Sequence, residues 1–189
     1  IIHNEALQNK SGKIGIKIYS PAGNEVFSTS QDVLLSEETP VATSFSIKKP
    51  ELWSVDTPVL YTAEVSLFSN EKEYDKITVP FGIRTLSFSA DKGFLLNGKP
   101  VKLKGGCIHH DNGLLGAVAI DRAEERKVEL MKANGYNAVR CSHNQVSEHF
   151  LDACDRLGML VIHETFDQWQ AAKREQDYHQ FFDEWSDRD

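Results

Sequence analysis

The strongest constraint on this chain is a change of period partway along it. Up to about residue 90 apolar residues recur at every second position. Beyond it they fall into helical stripes separated by short, continuous apolar runs. Period two describes a half-buried strand and period 3.6 a helix, and one layer of structure cannot satisfy both. The pattern predicts a β unit over residues 1–89 followed by an α/β unit over residues 90–189.

In the first half Ile14, Ile16 and Ile18 alternate with Gly15, Lys17 and Tyr19. Val41, Thr43, Phe45 and Ile47 alternate with polar or small residues. Tyr61, Ala63, Val65 and Leu67 alternate with Thr62, Glu64, Ser66 and Phe68, and Ile77, Val79 and Phe81 repeat the theme. Turn residues separate these runs: Pro21-Ala22-Gly23-Asn24, Lys49-Pro50, Asp56-Thr57-Pro58 and Ser69-Asn70. Short alternating strands at roughly ten-residue spacing predict an antiparallel β-sandwich. No helix of standard length is expected before residue 115.

The second half opens with a hairpin signal, Phe94-Leu95-Leu96-Asn97-Gly98-Lys99-Pro100-Val101, in which Asn-Gly supplies the two positive-φ positions of a type I′ turn. A strand is expected at Val101–Lys104. Asp121 with Glu124 three residues on is a capping-box-like helix start, and Gly135 is placed to end that helix. Ala123, Val128, Leu130 and Met131 share one face of it, and Glu124-Glu125-Arg126-Lys127 is read as a solvated one. Asn137–Arg140 follows as a strand. Ser147 caps a second helix carrying Phe150, Leu151, Cys154 and Leu157, and Gly158 stops it. Met159–Ile162 is an uninterrupted apolar run, as suits a strand covered on both faces. A last helix is expected around Tyr178, Phe181, Phe182 and Trp185. Strand, helix, strand, helix, strand is the order of parallel βαβ units.

In parallel sheets and barrels function collects at the carboxyl ends of the strands. Three consecutive strand ends here carry polar clusters: His109-His110-Asp111-Asn112, then Arg140-Cys141-Ser142-His143-Asn144, then His163-Glu164 with Asp167 and Trp169. Each residue has a plainer reading. His109 and His110 suit a loop or a metal site, although a third ligand at helical spacing is missing. Arg140 suits a structural ion pair, His143 a satisfied buried histidine, and Trp169 simple packing. Glu164 follows four apolar residues, and a buried carboxylate without a partner is costly, so a partner or ligand is expected there. Taken together, the residues describe a cleft for a small polar ligand. Hydroxyls would meet acceptors and donors there, and an apolar sugar face would meet Trp169.

The net charge of −7, with no run of basic residues, argues against nucleic acid. No apolar stretch reaches the ~18 residues of a membrane span. Cys107, Cys141 and Cys154 are odd in number and widely spaced, which predicts buried or partly buried free thiols rather than disulfides or zinc ligands. The first residues, Ile1-Ile2-His3-Asn4-Glu5, begin as if mid-strand with no initiator Met or signal peptide. A piece of a longer protein is therefore expected, and localisation cannot be read.

Asn137-Ala138-Val139-Arg140-Cys141-Ser142-His143, continued through Asp152, Asp155 and Gly158 to Met159-Leu160-Val161-Ile162, resembles the first signature of family 2 glycoside hydrolases. Lys104-Gly105-Gly106-Cys107-Ile108-His109 resembles the end of that family's first barrel strand, and His163-Glu164-Thr165-Phe166-Asp167-Gln168-Trp169 its third strand end. Phe81-Gly82-Ile83-Arg84 ahead of Phe94–Pro100 is similar to the junction between the family's immunoglobulin-like domain and its barrel. Leu52-Trp53-Ser54 with Pro58-Val59-Leu60-Tyr61 is similar to a stretch of that domain. The resemblance runs from about residue 10 to the end. It departs where Asn144 is followed by Gln145 in place of the usual Pro, and where His163 stands for the common Asp.

The resemblance implies an immunoglobulin-like β-sandwich followed by an incomplete TIM (β/α)8 barrel. It implies a retaining β-glycosidase, β-galactosidase-like first, with β-glucuronidase or β-mannosidase as alternatives. Such enzymes use two Glu about 5 to 5.5 Å apart as acid/base and nucleophile. The resemblance puts both on later strands, so no catalytic carboxylate is assigned here and Glu164 takes neither role. It implies that His109 and His143 bind substrate hydroxyls and that Arg140 holds the nucleophile carboxylate. His110, Asp111, Asn144, Glu164, Asp167 and Trp169 are substrate-binding or supporting candidates. Three βα units cannot close a barrel of eight, so the chain alone is expected to be inactive. No metal is expected in it, although magnesium or sodium serves some family members, which also commonly form oligomers. The competing class is a non-catalytic carbohydrate-binding or adhesion sandwich with a small α/β appendage. A third reading, a Rossmann-type nucleotide enzyme, lacks a glycine-rich fingerprint before the helix at Asp121.

Overall fold

The computed structural model describes residues 1–4 and 9–188. They form two compact units, Ile1–Leu86 and Ser87–Asp189.

In the first unit β1 (Ile2–His3), β2 (Lys10–Tyr19), β3 (Glu25–Leu35), β4 (Glu38–Thr39), β5 (Tyr61–Ser69) and β6 (Lys72–Phe81) are all antiparallel. Four of them make one sheet in the order β3-β2-β5-β6, and β1 pairs β4. The register explains the alternation. Ile14 lies opposite Gln31 and Leu67, Ile16 opposite Thr29 and Val65, and Ile18 opposite Phe27 and Ala63. One face therefore collects the branched side chains, and Ile14, Ile18, Leu35, Trp53, Val55 and Tyr61 are buried. Burying one such side chain contributes about 1.5–3 kcal/mol. The opposite face carries Lys17, Glu64 and Lys76, with Lys76 Nζ 2.7 Å from Glu64 Oε2.

Two expectations need correction in this unit. Val41–Ile47 forms no strand. Its alternation serves packing: the Phe45 ring stacks on Phe27 at 5.2 Å and meets Phe81 edge-on at 6.4 Å, while the backbone stays outside the ladder. Conversely, β3 is an eleven-residue strand that the sequence reading passes over. Trp53 anchors the irregular segment. Its N–H donates to the Ile83 carbonyl at 2.9 Å, and the Arg84 guanidinium lies 4.7 Å from its ring centre. A Cβ at Gly82 would come within 3.0 Å of the Trp53 side chain, so the close approach selects glycine there.

The second unit begins with an antiparallel trio, β7 (Leu86–Ser89), β8 (Gly93–Leu96) and β9 (Lys99–Pro100). Asn97 and Gly98 take φ of 54° and 74°, as a type I′ turn requires. Then come β10 (Gly105–Ile108), α1 (Asp121–Ala133), β11 (Ala138–Cys141), α2 (Glu148–Leu157) and β12 (Leu160–His163). The three strands are parallel in the order β10-β11-β12. One face of the sheet packs on the helices through Val128, Val139, Cys141, Phe150, Ala153, Cys154 and Met159. On the other face Ile162 is 57% exposed.

The first parallel strand is Gly105–Ile108, not Val101–Lys104. The Asn137 side chain ties 102–104 instead, accepting from the Lys104 N–H at 2.7 Å and donating to the Lys102 carbonyl at 3.0 Å. A Cβ on Gly105 would stand 1.7 Å from the Ala138 carbonyl oxygen, so β10 reaches β11 through a glycine. Asp121 does not cap α1. Ile120 is the cap residue, and no side chain bonds there. Glu124 is not solvated: it is 1% exposed, with Oε1 accepting from Asn112 Nδ2 and from Lys127 Nζ at 3.3 Å. Ser147 does cap α2, accepting from the Phe150 N–H at 3.2 Å, and Gly158 ends that helix in the left-handed region.

The expected last helix is broken into a 3₁₀ turn, Tyr178–Gln180, and a single α turn, α3 (Phe182–Trp185). Asp177 sets where the first turn begins, its carboxylate accepting from the backbone N–H groups of Lys173, Arg174 and His179. Cys141 and Cys154 are buried free thiols, and burial pushes Cys141 up to about 11. Cys107, expected to be at least partly buried, is exposed because it lies on the sheet face away from the helices. Among the described residues no helix is long and apolar enough to cross a membrane.

Candidate functional site

Parallel pairing in step places the ends of β10, β11 and β12 side by side, with Ile108 beside Cys141 and Cys141 beside His163. The residues at and just beyond these positions share one rim. Glu164 is its centre. Its Oε1 accepts from Arg140 Nε, and its Oε2 lies 2.8 Å from His143 Nδ1. The hydrogen bonds from His143 and then Arg140 hold the Glu164 carboxyl below the usual carboxylate range. An ionised carboxylate only accepts, so Nδ1 of His143 carries the proton in this contact. The 3.5 Å approach of Arg140 Nη2 to that nitrogen therefore joins two donors and is not a second hydrogen bond. His109 completes the group, its ring meeting that of His143 edge-on with centres 5.9 Å apart. The Ser142–His143 peptide is cis.

Arg140 also reaches Cys107, with Nη1 3.5 Å from Sγ. The Ser142 hydroxyl and then Arg140 draw the Cys107 thiol below its ordinary pKa. Reading by residue type missed Cys107 as a neighbour of the site. The register pair Cys107 and Arg140 was the available signal, once β10 is placed correctly.

Asp167 stands at the edge of the group, with Oδ1 4.0 Å from His143 Nδ1. It accepts from Lys173 Nζ at 2.6 Å and Gln168 Nε2 at 2.7 Å, which lower its pKa in that order. Trp169 is 67% exposed and stacks on Phe182 at 5.8 Å, within a set of rings that includes Phe166 and Tyr178. The structure thus brings together His109, Arg140, His143, Glu164 and Asp167. His110, Asp111 and Asn144 lie on the loops after β10 and β11, and no described hydrogen bond joins their side chains to the cluster. His163, where the resemblance departs, accepts through Nε2 from the Val146 N–H at 3.1 Å and so ties the loop after β11 to β12.

Among the described residues no group of three or more His, Cys, Asp or Glu side chains is placed to hold a metal ion. The arrangement offers a fixed cation, a fixed carboxylate and imidazole nitrogens at one rim, with the exposed Trp169 indole on the segment that follows β12. That set can bind several hydroxyls of one ring and hold the charge of a further carboxylate, but it contains no pair of free carboxylates.

Comparison with known proteins agrees with this geometry. Residues 1–84 match the family described as "Glycosyl hydrolases family 2", and residues 89–185 match "Glycosyl hydrolases family 2, TIM barrel domain". The chain is 41% identical over 188 residues to the β-galactosidase BoGH2A of Bacteroides ovatus, which covers 98% of this chain but 22% of that protein. It is 38% identical over 164 residues to a putative β-glucuronidase of Formosa agariphila, covering 87% of this chain and 16% of that one. A crystal structure of a glycosyl hydrolase family 2 member from Bacteroides cellulosilyticus superposes with a TM-score of 0.86 at 49% identity, over 94% of this chain and 23% of its own. The chain therefore spans less than a quarter of the length of these relatives.

Proposed function

The chain belongs to glycosyl hydrolase family 2, and from that premise we propose that it forms the sugar-binding and nucleophile-supporting part of a retaining β-galactosidase site. The observation that carries this reading is Glu164 bonded at once by Arg140 and His143, with His109 against His143, at three consecutive strand ends. On this reading His109 and His143 donate to and accept from sugar hydroxyls. Arg140 supplies the positive charge that keeps a nucleophilic carboxylate ionised, because an opposite charge nearby favours the charged form. Glu164 is neither acid/base nor nucleophile. It is a positioning residue that holds the Arg140 guanidinium and sets the His143 tautomer. Trp169 offers its exposed face to the apolar side of a pyranose.

A β-glucuronide is the second reading, favoured by the resemblance to the putative β-glucuronidase of Formosa agariphila. A uronic acid needs a cation to spare. Within the described rim Arg140 and Lys173 are already bonded to Glu164 and Asp167, so a uronate would have to share one of them, and the preference for the galactoside rests on the 41% identity to a β-galactosidase. The strand-end cluster counts against a purely carbohydrate-binding sandwich, which has no use for Arg and His after successive parallel strands.

The test is an assay on nitrophenyl β-galactoside, β-glucuronide and β-mannoside. It uses both the 189-residue chain and the longest polypeptide its reading frame yields. The galactoside should be the best substrate of the longer polypeptide, Arg140→Ala should lower kcat/KM by about 100-fold or more, and the chain alone should stay at background. Turnover by the chain alone, no hydrolysis of any glycoside by the longer polypeptide, or an unaffected Arg140→Ala would each overturn the reading.

A further inference from the structure

Glu124 is the one carboxylate of the described residues that is almost completely buried, and the site above makes no use of it. It sits in the first turn of α1. Its Oε1 accepts from Asn112 Nδ2 at 2.5 Å and from Lys127 Nζ at 3.3 Å, whereas Oε2 is buried without a hydrogen-bond partner. A carboxylate held this way is costly, since a buried oxygen left unpaired forfeits its hydration. The contact that offsets this cost most directly is the bond to Asn112.

Asn112 lies on the loop between β10 and α1, and it is the hub of that loop. Its Nδ2 also donates to the Val118 carbonyl at 3.1 Å, its N–H donates to the Gly116 carbonyl at 2.9 Å, and its own carbonyl accepts from the Leu115 N–H at 3.2 Å. One residue upstream, the Asp111 N–H donates to the His109 carbonyl at 2.8 Å. A continuous set of contacts therefore runs from Glu124 through Asn112 and Asp111 to His109, whose ring faces His143. The loop carries two positive-φ glycines, Gly113 and Gly116, so its backbone has freedom that these bonds remove. Lys127 lies 5.8 Å from the centre of the buried Phe150 ring, which moors the carboxylate to the helix core.

We infer that Glu124 is a positioning residue of the site: through Asn112 it fixes the β10–α1 loop and thereby sets the place of the His109 imidazole against His143. The inference rests on the glycosidase reading only for what His109 binds. Its test needs no sugar, so failure of that reading and failure of this one are distinguishable.

The experiment is NMR on the 189-residue chain, following the ring resonances of His109 and His143 and amide exchange in the loop, in Glu124→Ala, Glu124→Gln and Asn112→Ala. Glu124→Ala should shift the His109 ring signals and speed exchange of the Asn112, Leu115 and Gly116 amides at least tenfold, with the Phe150 and Gly158 amides unchanged. Glu124→Gln keeps an acceptor for Asn112 and should restore the wild-type His109 signals. Should Glu124→Ala unfold the unit, Asn112→Ala, which leaves the Glu124–Lys127 contact in place, should still show the same change confined to the loop and His109. Unchanged His109 signals in Glu124→Ala or Asn112→Ala would overturn the inference, as would Glu124→Gln behaving like Glu124→Ala.

Discussion

In the antiparallel sheet Glu64 and Lys76 stand on a strand face and pair with each other at the surface. In the parallel sheet Arg140, His143 and Glu164 stand at or just past strand ends and pair with one another at a single rim. Both groups are carboxylate-centred ion pairs, and what separates them is the direction of the strands. Antiparallel neighbours send successive ends to opposite edges, so polar residues disperse over a face. Parallel neighbours send every carboxyl end to the same edge, so residues far apart in sequence meet there. Glu164 is 24 residues from Arg140 and 21 from His143, yet bonds both.

The largest expected effect tests whether each unit has its own core. Phe150→Ala empties the centre of the second unit and should cost about 3 to 5 kcal/mol. In denaturation followed by single-tryptophan variants, the transition reported by Trp169 should move while that reported by Trp53 should not. Ile18→Ala is the mirror image and should cost roughly 2 to 5 kcal/mol in the first unit alone. If either substitution moves both transitions equally, the units unfold as one and the comparison fails.

A smaller effect separates them by pH. Glu164 and Asp167 have lowered folded-state pKa values and both lie in the second unit. A lowered folded pKa contributes stability that is present above the unfolded carboxylate value and is lost as pH falls through the folded one. Between about pH 5 and 3 the Trp169 transition should therefore weaken more than the Trp53 transition, and Glu164→Gln should flatten that dependence. Equal acid sensitivity of the two units would break the contrast. The smallest effect is at Lys76, raised by its hydrogen bond to Glu64. Its contribution is present below the ordinary lysine range and lost only as pH rises through the raised value. Lys76→Met should leave the Trp53 midpoint at neutral pH within error.

The two units were also unequally legible. The type I′ hairpin at Asn97-Gly98, the Ser147 cap and the Gly158 stop are local devices, and the sequence states them outright. Strand β3 was hidden because Thr29 and Gln31 occupy its inward positions, opposite Ile16 and Ile14, so it lacks an apolar stripe. Val41–Ile47 misled for the converse reason, since period two marks a face to be buried and not a ladder to be joined. β10 was displaced by four residues because Gly105 and Gly106 look like a turn until Ala138 is seen pressing on the first of them. In the site, strand-end position alone located His109, Arg140, His143 and Glu164. Which atoms bond, and that His110, Asp111 and Asn144 stay outside, depends on loop conformation that no local pattern encodes. Glu124 escaped notice because its helix neighbours are charged and its partner Asn112 lies twelve residues away.

The central claim is that three parallel strands deliver His109, Arg140, His143 and Glu164 to one sugar. A crystal structure of the longest polypeptide from this reading frame, with a galactose-configured inhibitor bound, tests it most directly. The account predicts His109 and His143 within about 3 Å of hydroxyls of one ring, with Glu164 still bonded to Arg140 and His143 behind them. A sugar bound away from this rim, or these four side chains parted around it, would contradict the account.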